Sequence, residues 1–151
     1  MKQAILLYNE KAGRGKIAGK VERIVKMFSD VDCVLQPRLL SFDKNPFDSD
    51  EKCDFVIIAG GDGTINYVVN AMMNKGLNIP LAVIPTGTAN DFAGALGMST
   101  DVVEAAQQIA NGVIEEIDCG KVEHINNKKE SPIYFVNIFS FGIFTTTSQH
   151  T

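Results

Sequence analysis

Gly60-Gly61-Asp62-Gly63-Thr64 stands between a solidly apolar run, Phe55-Val56-Ile57-Ile58-Ala59, and an amphipathic one. A buried strand feeding a glycine turn, which feeds a helix, aims bare backbone N–H groups and a helix N-terminus at one point. Phosphate groups bind at such points. Asp62 cannot itself attract a bare phosphate. Its charge suits Mg²⁺ beside phosphates, or an acceptor for a hydroxyl or a backbone N–H. The competing reading is a tight turn in which Asp62 caps local N–H groups.

A second junction repeats the logic. Leu81-Ala82-Val83-Ile84 is a short strand that runs into Pro85-Thr86-Gly87-Thr88-Ala89-Asn90-Asp91-Phe92. Thr86, Thr88, Asn90 and Asp91 crowd hydroxyl, amide and carboxylate groups at one strand end. Helix capping by Thr88 or Asn90 would explain one such residue but hardly four. In an open parallel sheet, ligands bind at the carboxyl ends of strands where crossovers diverge, so the two junctions can face one crevice.

The third junction follows Ala4-Ile5-Leu6-Leu7-Tyr8 and reads Asn9-Glu10-Lys11-Ala12-Gly13-Arg14-Gly15-Lys16. Gly13-x-Gly15-x-x-Ala18 superficially fits the dinucleotide fingerprint, but four residues separate the strand from Gly13 where the true motif turns at once. The spacing also fails for a Walker loop. Two readings remain: a basic glycine loop that touches phosphates, and an ordinary strand–helix loop.

These junctions need a frame. Strands near 4–8, 32–36, 54–59 and 81–84 alternate with helices near 15–28, 64–75 and 88–97, which predicts a Rossmann-like, mostly parallel α/β sheet flanked by helices. The helix after the first junction buries Ile65, Val68, Val69, Met72 and Met73 along one stripe, with Thr64 as N-cap and Gly76 as its stop. Asn66, Tyr67, Asn70 and Asn74 lie off that stripe. Residues 37–53, with Pro37 and Pro46, predict a loop that carries part of a site or a lid. A helix over 101–110 takes Thr100 as N-cap. The pattern then changes: 113–123 and 132–144 read as an antiparallel hairpin around a polar turn at 124–131, the start of a β-rich second domain. A hairpin this apolar needs a partner, either a second copy of the chain or a further domain.

The 151 residues amount to one domain, 45% hydrophobic and 21% charged. A formal net charge of −4 argues against a general nucleic-acid binder. An anionic ligand must therefore be held by local groups such as Lys11, Arg14, Lys16 and backbone N–H. No signal peptide is expected, and no apolar run approaches the roughly 20 residues that span a bilayer. Cys33, Cys53 and Cys119 are scattered and odd in number, so reduced core thiols of a cytoplasmic protein are expected. His124 and His150 are given no catalytic role.

Taken together, Asn9 to Gly13, Gly60–Asn66, the run Ile84-Pro85-Thr86-Gly87-Thr88-Ala89-Asn90-Asp91-Phe92-Ala93, and Asn137 to Gly142 resemble the bacterial diacylglycerol kinase family of lipid kinases, with its sphingosine-kinase-like relatives. GGDGT alone is shared with NAD kinases; GGDGT followed by GTANDFA is far more specific. The resemblance implies a nucleotide-binding α/β kinase domain over 1–120 and the beginning of a β-rich C-terminal domain over 121–151. It implies ATP and Mg²⁺ as cofactors, with γ-phosphoryl transfer to a lipid hydroxyl such as that of diacylglycerol. Carried over by position, Asn9, Gly13, Gly60, Gly61, Asp62, Gly63, Thr64, Ile65, Asn66 and Thr88 become nucleotide contacts. Asp62 becomes the catalytic and metal residue, and Asn90 and Asp91 shape the crevice. The implied partners are ATP, a lipid substrate and, transiently, a membrane surface; the implied location is cytoplasmic and peripheral to the membrane.

Three positions depart from the family pattern. Glu10 stands where Pro is common, Tyr67 where a Glu follows the Asn of GGDGTIN, and Gly94 where a basic residue follows NDFA. The resemblance also assigns most of the lipid cleft and the general base to a second domain that is almost absent here, so the chain alone is expected to lack full activity. Alternatives are an NAD kinase-like enzyme, a non-catalytic nucleotide-binding module and, from Gly13/Gly15/Ala18 alone, a dinucleotide oxidoreductase domain.

Overall fold

The computed structural model describes residues 1–10, 15–47, 51–123, 125 and 131–137. Strands β1 (Lys2–Tyr8), β2 (Cys33–Leu39), β3 (Phe55–Gly60) and β4 (Leu81–Pro85) form one parallel sheet in the order β2-β1-β3-β4. Helices α1 (Val21–Ser29), α2 (Asp62–Met73), α3 (Asp91–Ala95) and α4 (Val102–Ala110) flank it. The expected α/β class is the observed one.

Strand periodicity decides the layers. Successive side chains point to opposite faces, so a strand buried on both faces must be apolar throughout. In β1, Ala4 and Leu6 join one core with α1 and α4, through Ile24, Phe28, Val102, Ala105 and Ala106. Ile5 and Leu7 join the opposite core with Val68, Val69 and Met72 of α2. Likewise, in β3 Ile57 and Ala59 face the first core, while Val56 and Ile58 face the second. The chain leaves β1 for β2 on one side and reaches β3 on the other. That reversal makes the carboxyl ends of β1 and β3, where Tyr8 lies in register with Ala59, a topological switch point, the place where such sheets bind ligands.

Several boundaries move, each for a physical reason. Strand β2 runs on through Pro37 to Leu39, because as an edge strand it pairs with β1 alone and can spare an N–H on its open side. Residues 15–20 are turns rather than the start of α1, with Gly15 and Gly19 both at positive φ. No helix carries the chain from β2 to β3 among the described residues. Leu40 and Phe47 of the connecting segment plug the second core directly. Helix α2 stops as expected, with Gly76 at φ 67° and the N–H groups of Gly76 and Leu77 returning to the carbonyls of Met73 and Met72.

The hairpin is shorter than expected. Strand β5 (Gly120–Val122) pairs antiparallel with β6 (Ile133–Phe135), and 113–119 stays outside any ladder, with Val113 and Ile114 exposed. A side chain at position 120 would overlap the Phe135 ring, so Gly120 lets that ring lie across β5. Residues 138–144 of the expected second strand, both histidines and most of the polar turn fall outside the described residues. The cysteines are free: Cys33 is buried and Cys53 half-buried, but Cys119 is exposed, contrary to a core position.

Thr100 is not the cap of α4. Asp101 is, its carboxylate accepting the N–H groups of Val103 and Glu104 at 2.9 and 3.0 Å. Its short acceptor reaches those amides from the extended backbone before the first turn. The bonds from Glu104 and Val103, with Lys20 and Arg23 nearby, hold the Asp101 carboxyl below its ordinary range. The charged carboxylate is thus favoured by folding. Its contribution is complete above the ordinary aspartate range and drains away as pH falls through the lowered value. Thermal melts between pH 7 and pH 3 should show less acid sensitivity in Asp101→Asn than in the parent. Parallel pH curves for the two proteins would contradict this account of the cap.

Candidate active site

The described residues of each expected junction begin at the carboxyl edge of the sheet. Asn9 follows β1 and donates its backbone N–H to Ala59 at 3.3 Å, which ties the first loop to the end of β3. Gly13 lies outside the described residues, as do Lys11 and Arg14. Lys16 is exposed.

The glycines of the Gly60–Thr64 junction work differently from the expectation of simply bared amides. A Cβ at Gly60 would come within 2.5 Å of the Thr64 Cβ and Cγ2. Thr64 therefore leans over Gly60 and is buried, and the N-cap of α2 is Gly61 rather than Thr64. A Cβ at Gly61 would lie 3.0 Å from the Gly87 Cα, and one at Gly87 would lie 2.5 Å from the Gly61 Cα. The loops after β3 and β4 thus touch backbone to backbone, through the two residues that have no side chain. Of Gly60, Gly61 and Gly63, the last faces open space. Ile65 has a buried side chain and spends its N–H on the Gly61 carbonyl at 3.0 Å, so it offers packing and no free polar group. The unpaired amides of a helix lie in its first turn, here at Asp62, Gly63 and Thr64.

Asp62 closes the arrangement. Its Oδ2 accepts the N–H of Asp91 at 3.2 Å and its Oδ1 that of Phe92 at 3.1 Å. A carboxylate on the first turn of α2 thereby caps α3, whose own cap residue makes no side-chain bond to the helix's first amides. That residue, Asn90, is left-handed at φ 57°, a region Asn enters more readily than most residues. There its amide brackets Gly87, accepting from the Gly87 N–H at 2.8 Å and donating to the Gly87 carbonyl at 2.9 Å. Asn90 is buried, and its role is to hold the turn. Thr88, one residue beyond Gly87, is exposed and lies before α3 rather than in it. Thr86 is fully enclosed, and its hydroxyl has no partner among the described residues.

Tyr67 faces away from this centre. Its hydroxyl donates to the Lys44 carbonyl at 2.7 Å, with the Ser41 carbonyl at 3.3 Å, and its ring meets Phe42 with centroids 4.9 Å apart. Burial, and then the Asp43 carboxylate, push its phenol above the ordinary range, keeping it a donor. Asn45 reinforces the clamp by donating to the Ala71 carbonyl at 2.9 Å. The segment predicted as a loop is thus stapled along α2. Nothing in the spacing of the sequence signalled that Tyr67 would reach back more than twenty residues to do it.

The arrangement brings the first-turn amides of α2, one carboxylate and two touching loops together at a topological switch point. Residues 3–122 match the family described as diacylglycerol kinase catalytic domain. The chain is 34% identical over 151 residues to a diacylglycerol kinase of Bacillus subtilis, covering 96% of this chain and 47% of that protein. It is 41% identical over 101 residues to a diacylglycerol kinase of Staphylococcus aureus strain Newman, covering 67% and 30%. A crystal structure of a diacylglycerol kinase from Bacillus anthracis superposes with a TM-score of 0.66 at 28% identity, covering 80% of this chain and 44% of that one. The chain spans about half or less of the length of these relatives. With its catalytic-domain match over most of its length and the same fold in a solved relative, the chain belongs to the diacylglycerol kinase catalytic domain family.

Proposed function

We propose that the chain is the nucleotide-binding half of an ATP-dependent lipid kinase, which moves the γ-phosphoryl group of ATP to a lipid hydroxyl such as that of diacylglycerol. The observation that carries this reading is the closed pair of loops, Gly61 against Gly87, locked by Asp62 across the crevice. The division that goes with it is a nucleotide-binding unit over 1–120 and the opening of a β-rich unit over 121–151.

The residues fit Mg·ATP. The amides of Asp62, Gly63 and Thr64 point along the axis of α2, where the helix dipole favours phosphate. Gly63 leaves the approach open. No cluster of three or more acidic, His or Cys ligands exists among the described residues. Mg²⁺ needs none, since it is commonly held by one or two carboxylates, phosphate oxygens and water. Each Asp62 oxygen accepts one N–H and keeps a second lone-pair site for a cation. When bound, Mg²⁺ would neutralise charge on the phosphates. Asn9, Gly13, Gly60, Asn66 and Thr88 complete the nucleotide contacts in this reading, with Ile65 as packing behind them.

The chemistry requires little more from this half. The bond between the γ-phosphorus and the β,γ-bridging oxygen breaks as one to the lipid oxygen forms, and the hydroxyl proton passes to a base. The family resemblance assigns that base to the second domain. Positioning and charge neutralisation dominate such transfers. No helix among the described residues is long and apolar enough to cross a membrane. In this reading the lipid is met by transient contact with a membrane surface.

The test is γ-labelled Mg·ATP with diacylglycerol micelles, using the chain alone and the chain joined to the C-terminal half of the Bacillus subtilis relative. Labelled phospholipid is expected from the joined protein, with little or none from the chain alone. No label from either, with nucleotide still bound, would favour a non-catalytic module. Label transferred to NAD, offered in a parallel reaction in place of the micelles, would favour an NAD kinase-like enzyme.

A further inference from the structure

Asn70 sits two turns into α2, and its side-chain amide does three things at once. Its Oδ1 accepts the Tyr134 backbone N–H at 2.8 Å, and its Nδ2 donates to the Tyr134 carbonyl at 2.8 Å. The same Nδ2 lies 2.9 Å from the Asn66 carbonyl and 3.2 Å from the Asn66 Oδ1. The amide thus behaves as one peptide group of an extra strand. It pairs with the edge of β6 that faces away from β5, while Tyr134 and Val136 rest on the second core beside α2. A backbone edge held this way has a defined register. A purely apolar contact would let the strand slide by a residue.

The position of Asn66 gives the contact its consequence. Asn66 is exposed on the first turns of α2, one helical turn before Asn70 and beside the unpaired amides. With its Oδ1 engaged by Asn70, its side-chain NH₂ is the group presented outward. We propose that Asn70 is a positioning residue that seats the β5–β6 hairpin on α2 and, through the same NH₂ group, orients Asn66 at the nucleotide site. The inference rests on the nucleotide-binding reading above only for what Asn66 touches; the seating of β6 stands without it. Ligand at the first turn of α2 and docking of the hairpin then favour each other, and such linkage is reciprocal.

The experiment is NMR on the 151-residue chain and its variants. In Asn70→Ala, exchange of the Tyr134 amide should accelerate about tenfold or more, and the Asn66 side-chain amide signals should shift. Amides of β1 and β3 should keep their protection, which establishes that the variant is folded. Asn70→Asp should not rescue Tyr134, because a carboxylate can accept its N–H but sets oxygen against its carbonyl. Full rescue by Asn70→Asp would reduce Asn70 to a simple acceptor and overturn the pairing. Unchanged Tyr134 exchange in Asn70→Ala would overturn the seating, and unmoved Asn66 signals would overturn the relay. Mg·ATP titration closes the cycle: Asn70→Ala should weaken binding about tenfold, and the effect should shrink below about twofold in an Asn66→Ala background. Additive losses would contradict the relay. If the parent binds no nucleotide, the proposed function fails, while the Tyr134 and Asn66 signals still decide this inference.

Discussion

Asp62→Ala should lower phosphoryl transfer by the joined protein about 10³-fold or more, since it removes the carboxylate assigned to the metal–phosphate centre. It should also destabilise the chain. The Asp91 and Phe92 amides would lose their shared acceptor, which costs about 1–2 kcal/mol at a helix cap. For a domain of this size that is a fall in Tm of several degrees. The two effects separate in Asp62→Asn. One oxygen still accepts an N–H while the NH₂ meets the other amide donor to donor, so only part of the stability should return, and the charge and with it the transfer stay lost. Calorimetric melts and the labelled-lipid assay read them independently. Transfer within tenfold of the parent in Asp62→Asn would remove Asp62 from the centre and leave it a cap for α3.

The second large effect is at the contact between the loops. In Gly87→Ala the added methyl would lie 2.5 Å from the Gly61 Cα and 2.8 Å from the Asn90 Oδ1. Both neighbours are held: Gly61 is the N-cap of α2, and Asn90 is bonded to Gly87 on both sides. Backbone cannot swing away as a long side chain can, so the loops must separate at a cost of about 1–3 kcal/mol. Nucleotide binding should fall with them, because the separation shifts Asp62 and the first turn of α2. Gly94→Ala is the control. Its Cβ meets nothing within 4 Å and its φ is not positive, so it should stabilise α3 by about 0.5–1 kcal/mol. Chemical denaturation orders the two; equal stability of Gly87→Ala and the parent would mean that the loops do not pack as described.

The frame of the fold was legible because its signals are local and strong. The apolar runs of β1, β3 and β4 and the stripe Ile65, Val68, Val69, Met72 of α2 each carry their period in a few consecutive residues. That the two junctions share one edge was legible too, since polar turns after neighbouring parallel strands must lie at the same sheet edge. What could not be read were contacts made across distance. Asp62 meets the Asp91 and Phe92 amides some thirty residues on, and Asn70 meets Tyr134 across 64. No spacing rule reaches that far. Thr64 and Thr100 were natural cap candidates by residue type, yet Gly61 and Asp101 took the places. Thr64 is drawn over Gly60, and the Asp101 carboxylate reaches two amides at once. Asn90 did carry a signal, for an Asn just before a helix enters the left-handed region more readily than most residues. The expected strand over 113–119 failed because alternation of apolar residues shows a strand's face, not whether a partner is there to pair with it.

Titration of the 151-residue chain with ATP, ADP and NAD, each with and without Mg²⁺, tests the central claim most directly. The account predicts saturable, Mg²⁺-dependent adenine nucleotide binding that is lost in Gly87→Ala and absent for NAD. Equal binding with and without Mg²⁺, or preference for NAD, would contradict the assignment of the Asp62 crevice to Mg·ATP.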